Sequence, residues 1–174
     1  WPRAEERTRQ RRGGGVAERS GRLQQTADAA GAPTTESQQT EIRAMSIAHH
    51  LQLNTDKIRG AKVALLPGDP FRVQNIAKHL EDASELAHVR EFMSYLGTIE
   101  GDPVLVVSTG CGGPSVSICV EELAQIGVDT FIRVGSTGAI QDYIDVSDVV
   151  ISNAAVRLDG ASKSFAPIEY PAVS

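Results

Sequence analysis

Short apolar runs, most of them closed by Gly or Pro, succeed one another from residue 62 onward, and their spacing alternates between strand and helix periods. Residues 62–66 read as a buried strand stopped by Pro67-Gly68. Pro70 then stands where a helix would start, and Val73, Ile76, Ala77 and Leu80 follow at helical spacing. Residues 92–99 and 104–107 are strand candidates flanking Glu100-Gly101-Asp102-Pro103, a connection with hairpin chemistry. A Gly-rich turn at 108–114 opens a helix over 114–125, with Val116, Cys119, Val120, Leu123 and Ala124 as its apolar stripe and Gly127 as its stop. Residues 130–134 and 146–152 give two more strands, and 154–158 continues beyond a kink. Strand, helix and hairpin alternate, which predicts the α/β class. A sheet lined with apolar residues on both faces needs helices on both sides, and two convincing helices leave the domain looking unfinished at its C-terminal end.

The same pattern divides the chain. Residues 1–44 hold only Trp1, Val16, Leu23 and Ile42 as large apolar residues, include Arg11-Arg12-Gly13-Gly14-Gly15, and show no sustained period. Such a segment cannot bury enough surface to offset its chain entropy. The chain begins with Trp, its first methionine is Met45, and dense domain-like sequence starts just after it. Residues 1–44 are therefore expected to be a disordered or non-native extension, and 45–174 the domain. A basic arm that binds nucleic acid is the functional alternative for the extension. Its six acids and its lack of an apolar stretch do not suit a targeting peptide.

Composition narrows the rest. The net charge of -5 over 174 residues argues against a nucleic-acid binder, and no apolar run approaches a bilayer span. Cys111 and Cys119 lie eight apart, a spacing that does not favour a mutual disulfide, and no Cys/His cluster offers a metal site. Both are expected to be buried small hydrophobes in a reduced, cytoplasmic setting.

Two strand-end turns carry the candidate chemistry. Leu66-Pro67-Gly68-Asp69-Pro70-Phe71-Arg72 and Arg133-Val134-Gly135-Ser136-Thr137-Gly138-Ala139 each place Gly-loosened backbone beside an arginine. Freed backbone N–H groups plus a guanidinium fork suit a phosphate-sized anion. Gly68-Asp69-Pro70 also reads as an ordinary turn. Arg72, on a first helical turn, opposes the helix dipole unless an anion is bound beside it. Arg133 interrupts an apolar strand, so it is either paired in a structural salt bridge or holds a ligand. Ser136 and Thr137 add hydroxyl donors or merely form the turn. Arg90 and the His49-His50 pair carry no local sequence signal of a role.

From about His49 to Ser174 these residues closely resemble the nucleoside phosphorylase-I family. The resemblance rests on Pro67-Gly68-Asp69-Pro70, His88-Val89-Arg90-Glu91-Phe92, Ser108-Thr109-Gly110-Cys111-Gly112-Gly113-Pro114-Ser115, Val120-Glu121-Glu122-Leu123-Ala124-Gln125 and the 133–139 segment. Two further segments, Val156-Arg157-Leu158-Asp159-Gly160-Ala161-Ser162 and Phe165-Ala166-Pro167, are similar to the uridine-cleaving branch rather than the purine branch. The resemblance implies a mixed β-sheet flanked by helices, C-terminally incomplete here. It also implies reversible phosphorolysis of uridine to uracil and ribose 1-phosphate in pyrimidine salvage, with inorganic phosphate as co-substrate and no organic cofactor.

The implied phosphate site comprises Gly68, Arg72, Arg133 and the Ser136 hydroxyl, with Arg72 and Arg133 as the catalytic pair and Ser136 also near the ribose. Arg90 would reach the phosphate of a neighbouring subunit's site, and His50 the sugar 5′-hydroxyl across the same interface. That requires a homo-oligomer with shared sites, in the family a hexamer built from dimers. The resemblance also implies a potassium ion at the dimer interface, held by Glu91, the Cys111 carbonyl and Ser115. The family commonly has Thr at Ser136, which keeps the hydroxyl, and an aliphatic residue at Cys111. Its uracil-reading segment and the glutamate that grips the ribose lie beyond residue 174, so little turnover is expected of this chain alone. A purine nucleoside substrate and a non-catalytic phosphate-binding fragment are the alternatives.

Overall fold

The computed structural model describes residues 47–173, and the expectation for residues 1–44 falls outside them. Val63–Leu66 (β1) runs parallel to two neighbours, Asp102–Val107 (β4) on one side and Thr130–Arg133 (β5) on the other. Phe92–Ile99 (β3) adds antiparallel to β4, and Glu81–Val89 (β2) antiparallel to β3, giving the order β2-β3-β4-β1-β5. Glu100 and Gly101 both have positive φ, 53° and 89°, in the two-residue turn joining β3 to β4. That conformation matches the right-handed twist of the paired strands.

Each face of the sheet has its own core, and period-two alternation sorts the residues between them. Pro70–Ala77 (α1) covers one face, where Val73 packs with Met93 and Val106 beside Leu65, Ile76 and Leu80. Asp69 caps α1 by accepting a hydrogen bond from the Phe71 N–H at 2.9 Å. Gly113–Gln125 (α2) covers the other face. There Cys119 and Leu123 meet Ala64, Leu66, Phe92, Leu96, Leu105 and Val107, joined by Leu51, Leu53 and Ile58 from the segment before β1. Glu122 ties that segment down: its carboxylate accepts from the His50 and Leu51 backbone N–H groups at 3.0 Å and from His50 Nδ1 at 2.6 Å.

Three expectations are corrected, and one strand appears where none was expected. The strand β2 carries no apolar alternation in its sequence EDASELAHV and exists through its ladder to β3. Residues 146–152 do not form a strand; Val146 is 98 % exposed and Ile151 89 %. A strand needs a ladder to a neighbour, and residues 146–151 belong to neither of the two sheets. Cys111 is exposed rather than buried, while Cys119 is buried as its stripe position predicts. The 154–158 stretch shortens to Ala154–Ala155 (β6), paired with Ala172–Val173 (β7). The loop between them closes around Arg157, whose guanidinium donates to the carbonyls of Ser162, Ala166, Pro167 and Tyr170.

Leu105 is fully buried in β4, so Leu105→Ala should cost about 2–5 kcal/mol in urea unfolding. A Cβ on Gly97 would lie 2.6 Å from Leu80 Cβ, so Gly97→Ala should cost about 1–3 kcal/mol by overpacking. Partial burial pushes the Glu122 carboxyl up. The hydrogen bonds from the His50 ring and from the Leu51 and His50 backbone outweigh that, so it ionises below its ordinary value. The folded chain thus holds this proton less tightly than the unfolded chain. The stabilisation is complete above the ordinary carboxylate range and lost as pH falls through the depressed folded value. Glu122→Gln should flatten that acid limb in a series of urea melts.

Candidate active site

Parallel pairing sends the C-terminal ends of β1, β4 and β5 to one edge of the sheet, the edge where open α/β sheets hold ligands. The chain stays in step beyond the strands. Val134 N–H donates to the Leu66 carbonyl at 3.2 Å, Thr109 N–H to Pro67 at 2.9 Å and Gly110 N–H to Gly68 at 2.9 Å. Three loops are therefore stitched side by side, and they carry Gly68 with Arg72, the 108–113 turn, and Arg133 with Ser136.

Arg133 ends the edge strand β5 and turns its guanidinium back over the sheet end. Nη1 donates to the Leu66 carbonyl at 2.8 Å and to the Val134 carbonyl at 2.9 Å. A Cβ on Gly68 would stand 3.1 Å from Arg133 Nη2, so a side chain there would press the guanidinium back by a few tenths of an ångström. Arg72 crosses from α1, and its Nη2 donates to Ser136 Oγ at 2.9 Å. A cleft of about 330 Å³ opens beside this pair, between α1 and the 134–136 backbone.

Neither arginine faces a carboxylate. The one ion pair among the described residues is His50–Glu122, so the salt-bridge alternative for Arg133 is not realised there. Two guanidinium groups with donors left over, set against a turn at strand ends, have the chemistry that suits a compact multivalent anion. Asn75 and His79 also line the cleft, and neither was singled out from the sequence. The signal was available: with Arg72 they stand three and seven residues along one helical face.

The other expected residues are not gathered into this cluster. Arg90 occupies the two-residue turn between β2 and β3, at the same end of the sheet, with φ 56° and no hydrogen-bond partner among the described residues. Glu91, next to it, packs on Gly110, where an added Cβ would lie 2.7 Å from Glu91 Cγ and 3.3 Å from Ser115 Oγ. Gly110 also has φ +68°, so glycine is required there twice over. Ser115 Oγ donates to the Thr109 carbonyl at 2.6 Å and lies 3.3 Å from the Cys111 carbonyl. Glu91, Cys111 and Ser115 thus meet around one glycine. His50 is held by Glu122 near the far end of α2, roughly 13 Å along the helix from its N-terminus at Gly113. Within one chain it stands away from the arginines.

Residues 62–174 match the model of the phosphorylase superfamily. The uridine phosphorylase of Haemophilus influenzae is 58 % identical over 130 residues, which cover 75 % of this chain and 52 % of that protein. The uridine phosphorylase of Escherichia coli is 54 % identical over 125 residues, 72 % of this chain and 49 % of that protein. The guanosine phosphorylase of Halorubrum lacusprofundi is 41 % identical over 112 residues, 64 % of this chain and 46 % of that protein. The chain spans about half the length of the curated relatives it matches. Its stitched loops, its paired arginines and its match over residues 62–174 carry one conclusion: the chain belongs to the phosphorylase superfamily.

Proposed function

We propose that this chain carries the phosphate-holding part of a uridine phosphorylase. The observation that carries the reading is the pair Arg72 and Arg133, unneutralised by any carboxylate among the described residues and packed against Gly68 and Ser136. The higher identity to uridine phosphorylases than to the guanosine enzyme favours uridine as substrate.

In the proposed reaction a phosphate oxygen forms a bond to the anomeric carbon as the C1′–N1 bond of uridine breaks. The bonding pair leaves with uracil, which takes up a proton, and ribose 1-phosphate remains. The ribose passes through an oxocarbenium-like state. Phosphate held beneath it by Arg72, Arg133 and the Gly68 backbone offsets that charge, with Ser136 Oγ between phosphate and ribose. The residues orient and stabilise charge, and no covalent enzyme intermediate is needed.

Arg90 has no hydrogen-bond partner among the described residues, and His50 stands at the far end of α2 from the arginines. Both facts support a homo-oligomer, a hexamer built from dimers, in which Arg90 completes a neighbour's phosphate site and His50 meets the 5′-hydroxyl there. Glu91, the Cys111 carbonyl and Ser115 offer carboxylate, carbonyl and hydroxyl oxygens around Gly110. That hard-oxygen set suits a potassium ion, which would brace the turn. Two free thiols, one of them exposed, support a cytoplasmic setting.

The test is phosphate-dependent release of uracil from uridine, with guanosine as the comparison. It is run on the 174-residue chain and on the same chain continued with the C-terminal half of the Haemophilus influenzae relative. Turnover of uridine over guanosine by the continued chain is expected, and guanosine preference or no turnover would sink the assignment. In the active chain Arg133→Ala should lower kcat/KM by about 10²–10³-fold, the loss typical of one preorganised charge-stabilising donor. Gly68→Ala should lower it too, because the new Cβ displaces the guanidinium.

A further inference from the structure

Glu122 is an acid in the last turn of α2, where the helix dipole disfavours negative charge. Its placement there suggests a task other than helix stability. Both carboxylate oxygens face the turn at 48–51. Oε1 lies 2.6 Å from His50 Nδ1, Oε1 and Oε2 each accept from the His50 N–H at 3.0 Å, and Oε2 accepts from the Leu51 N–H at 3.0 Å. The carboxylate has only lone pairs to offer, so the imidazole nitrogen it meets must carry the proton. The His50 side chain is about one-third exposed, and Nε2 has no partner among the described residues. The His49 ring packs edge-on at 5.0 Å between centroids, and the other ionisable side chain close to Glu122 is the buried Cys119 thiol, pushed up to about 12 by burial and by Glu122 itself.

We infer that Glu122 is a positioning residue that holds the neutral form of His50 in the Nδ1–H tautomer, whose Nε2 is a bare acceptor for the nucleoside 5′-hydroxyl of a neighbouring site. The backbone bonds from His50 and Leu51 fix the ring's attachment point, and the Nδ1 bond fixes its rotation, so a single carboxylate sets both position and protonation. An acceptor at Nε2 accepts a hydrogen bond from a free 5′-hydroxyl and has nothing to accept from a 5′-phosphate ester, which has no hydroxyl proton at that oxygen. Glu122 would thereby help to select nucleosides over nucleotides. The 5′-hydroxyl part of the inference rests on the uridine reading; the tautomer does not.

The tautomer is measured on the ¹⁵N-labelled full chain by long-range proton–nitrogen correlation of the imidazoles, with His50 assigned by loss of its signals in His50→Gln. The native chain is expected to show His50 with a protonated Nδ1 and an unprotonated Nε2. In Glu122→Ala the population should shift toward Nε2–H. Glu122→Gln, which keeps an acceptor oxygen, should restore Nδ1–H. An Nε2–H tautomer in the native chain would overturn the inference, a result that stands even where the alanine variant fails to fold. So would an unchanged tautomer in a folded Glu122→Ala chain. In the continued chain of the preceding test, Glu122→Ala should cost uridine about tenfold more than 5′-deoxyuridine, the loss expected of one hydrogen bond. Equal losses would overturn the 5′-hydroxyl role. No turnover of either nucleoside would overturn the uridine reading, while the tautomer stands or falls on the spectra.

Discussion

Everything in the candidate site hangs on β1 lying between two parallel neighbours. A strand paired parallel on both edges must send its exit loop out beside the exit loops of both partners. Here the pairing continues past the strand ends, with Val134, Thr109 and Gly110 donating to the carbonyls of Leu66, Pro67 and Gly68. Those bonds hold residues from three distant parts of the sequence in fixed register. Without them the loop that follows Arg133 would not be held in step with the Gly68 turn that leads into α1 and Arg72.

The electrostatic design follows from that rigidity. Like charges brought together repel, and a fold normally answers with a carboxylate. The backbone answers instead with carbonyl oxygens: Arg133 Nη1 is satisfied by Leu66 and Val134, which hold the group in place without cancelling its charge. Ser136 does the same for Arg72. On the proposed role, the remaining donors take the phosphate. Gly68 matters through its missing side chain, since the space a Cβ would fill is taken by Arg133.

Much of this was legible in the sequence, for identifiable reasons. β1, β3, β4, β5 and both helices announce themselves because their apolar positions keep the period of the element that buries them, and Pro70 and Pro114 mark helix starts. Arg133 stood out because it breaks an apolar run. The strand β2 could not be read, since residues 81–89 are mostly polar and their structure comes from the neighbour, β3, rather than from their own pattern. Residues 146–152 fail the other way: they have strand composition, yet composition alone does not supply a partner. The exposed Cys111 was misread because a Gly-rich turn gives a side chain no period from which to infer burial. The Glu122–His50 contact joins residues 72 apart, a distance at which spacing carries no information.

The hairpin turn at Arg90 has one more consequence. A left-handed backbone costs a non-glycine residue about 1–2 kcal/mol, and Arg90 adopts it at φ 56° with no hydrogen-bond partner for its side chain among the described residues. Glycine or asparagine would suit that turn better, so the folded chain carries avoidable strain at this point. On the proposed role, the strain and the cation are inseparable: the two-residue turn mounts a long, exposed charged arm at the end of the sheet. A selection for thermal stability alone would disfavour the arginine at that turn, and on the proposed role would remove with it the group that one subunit lends another.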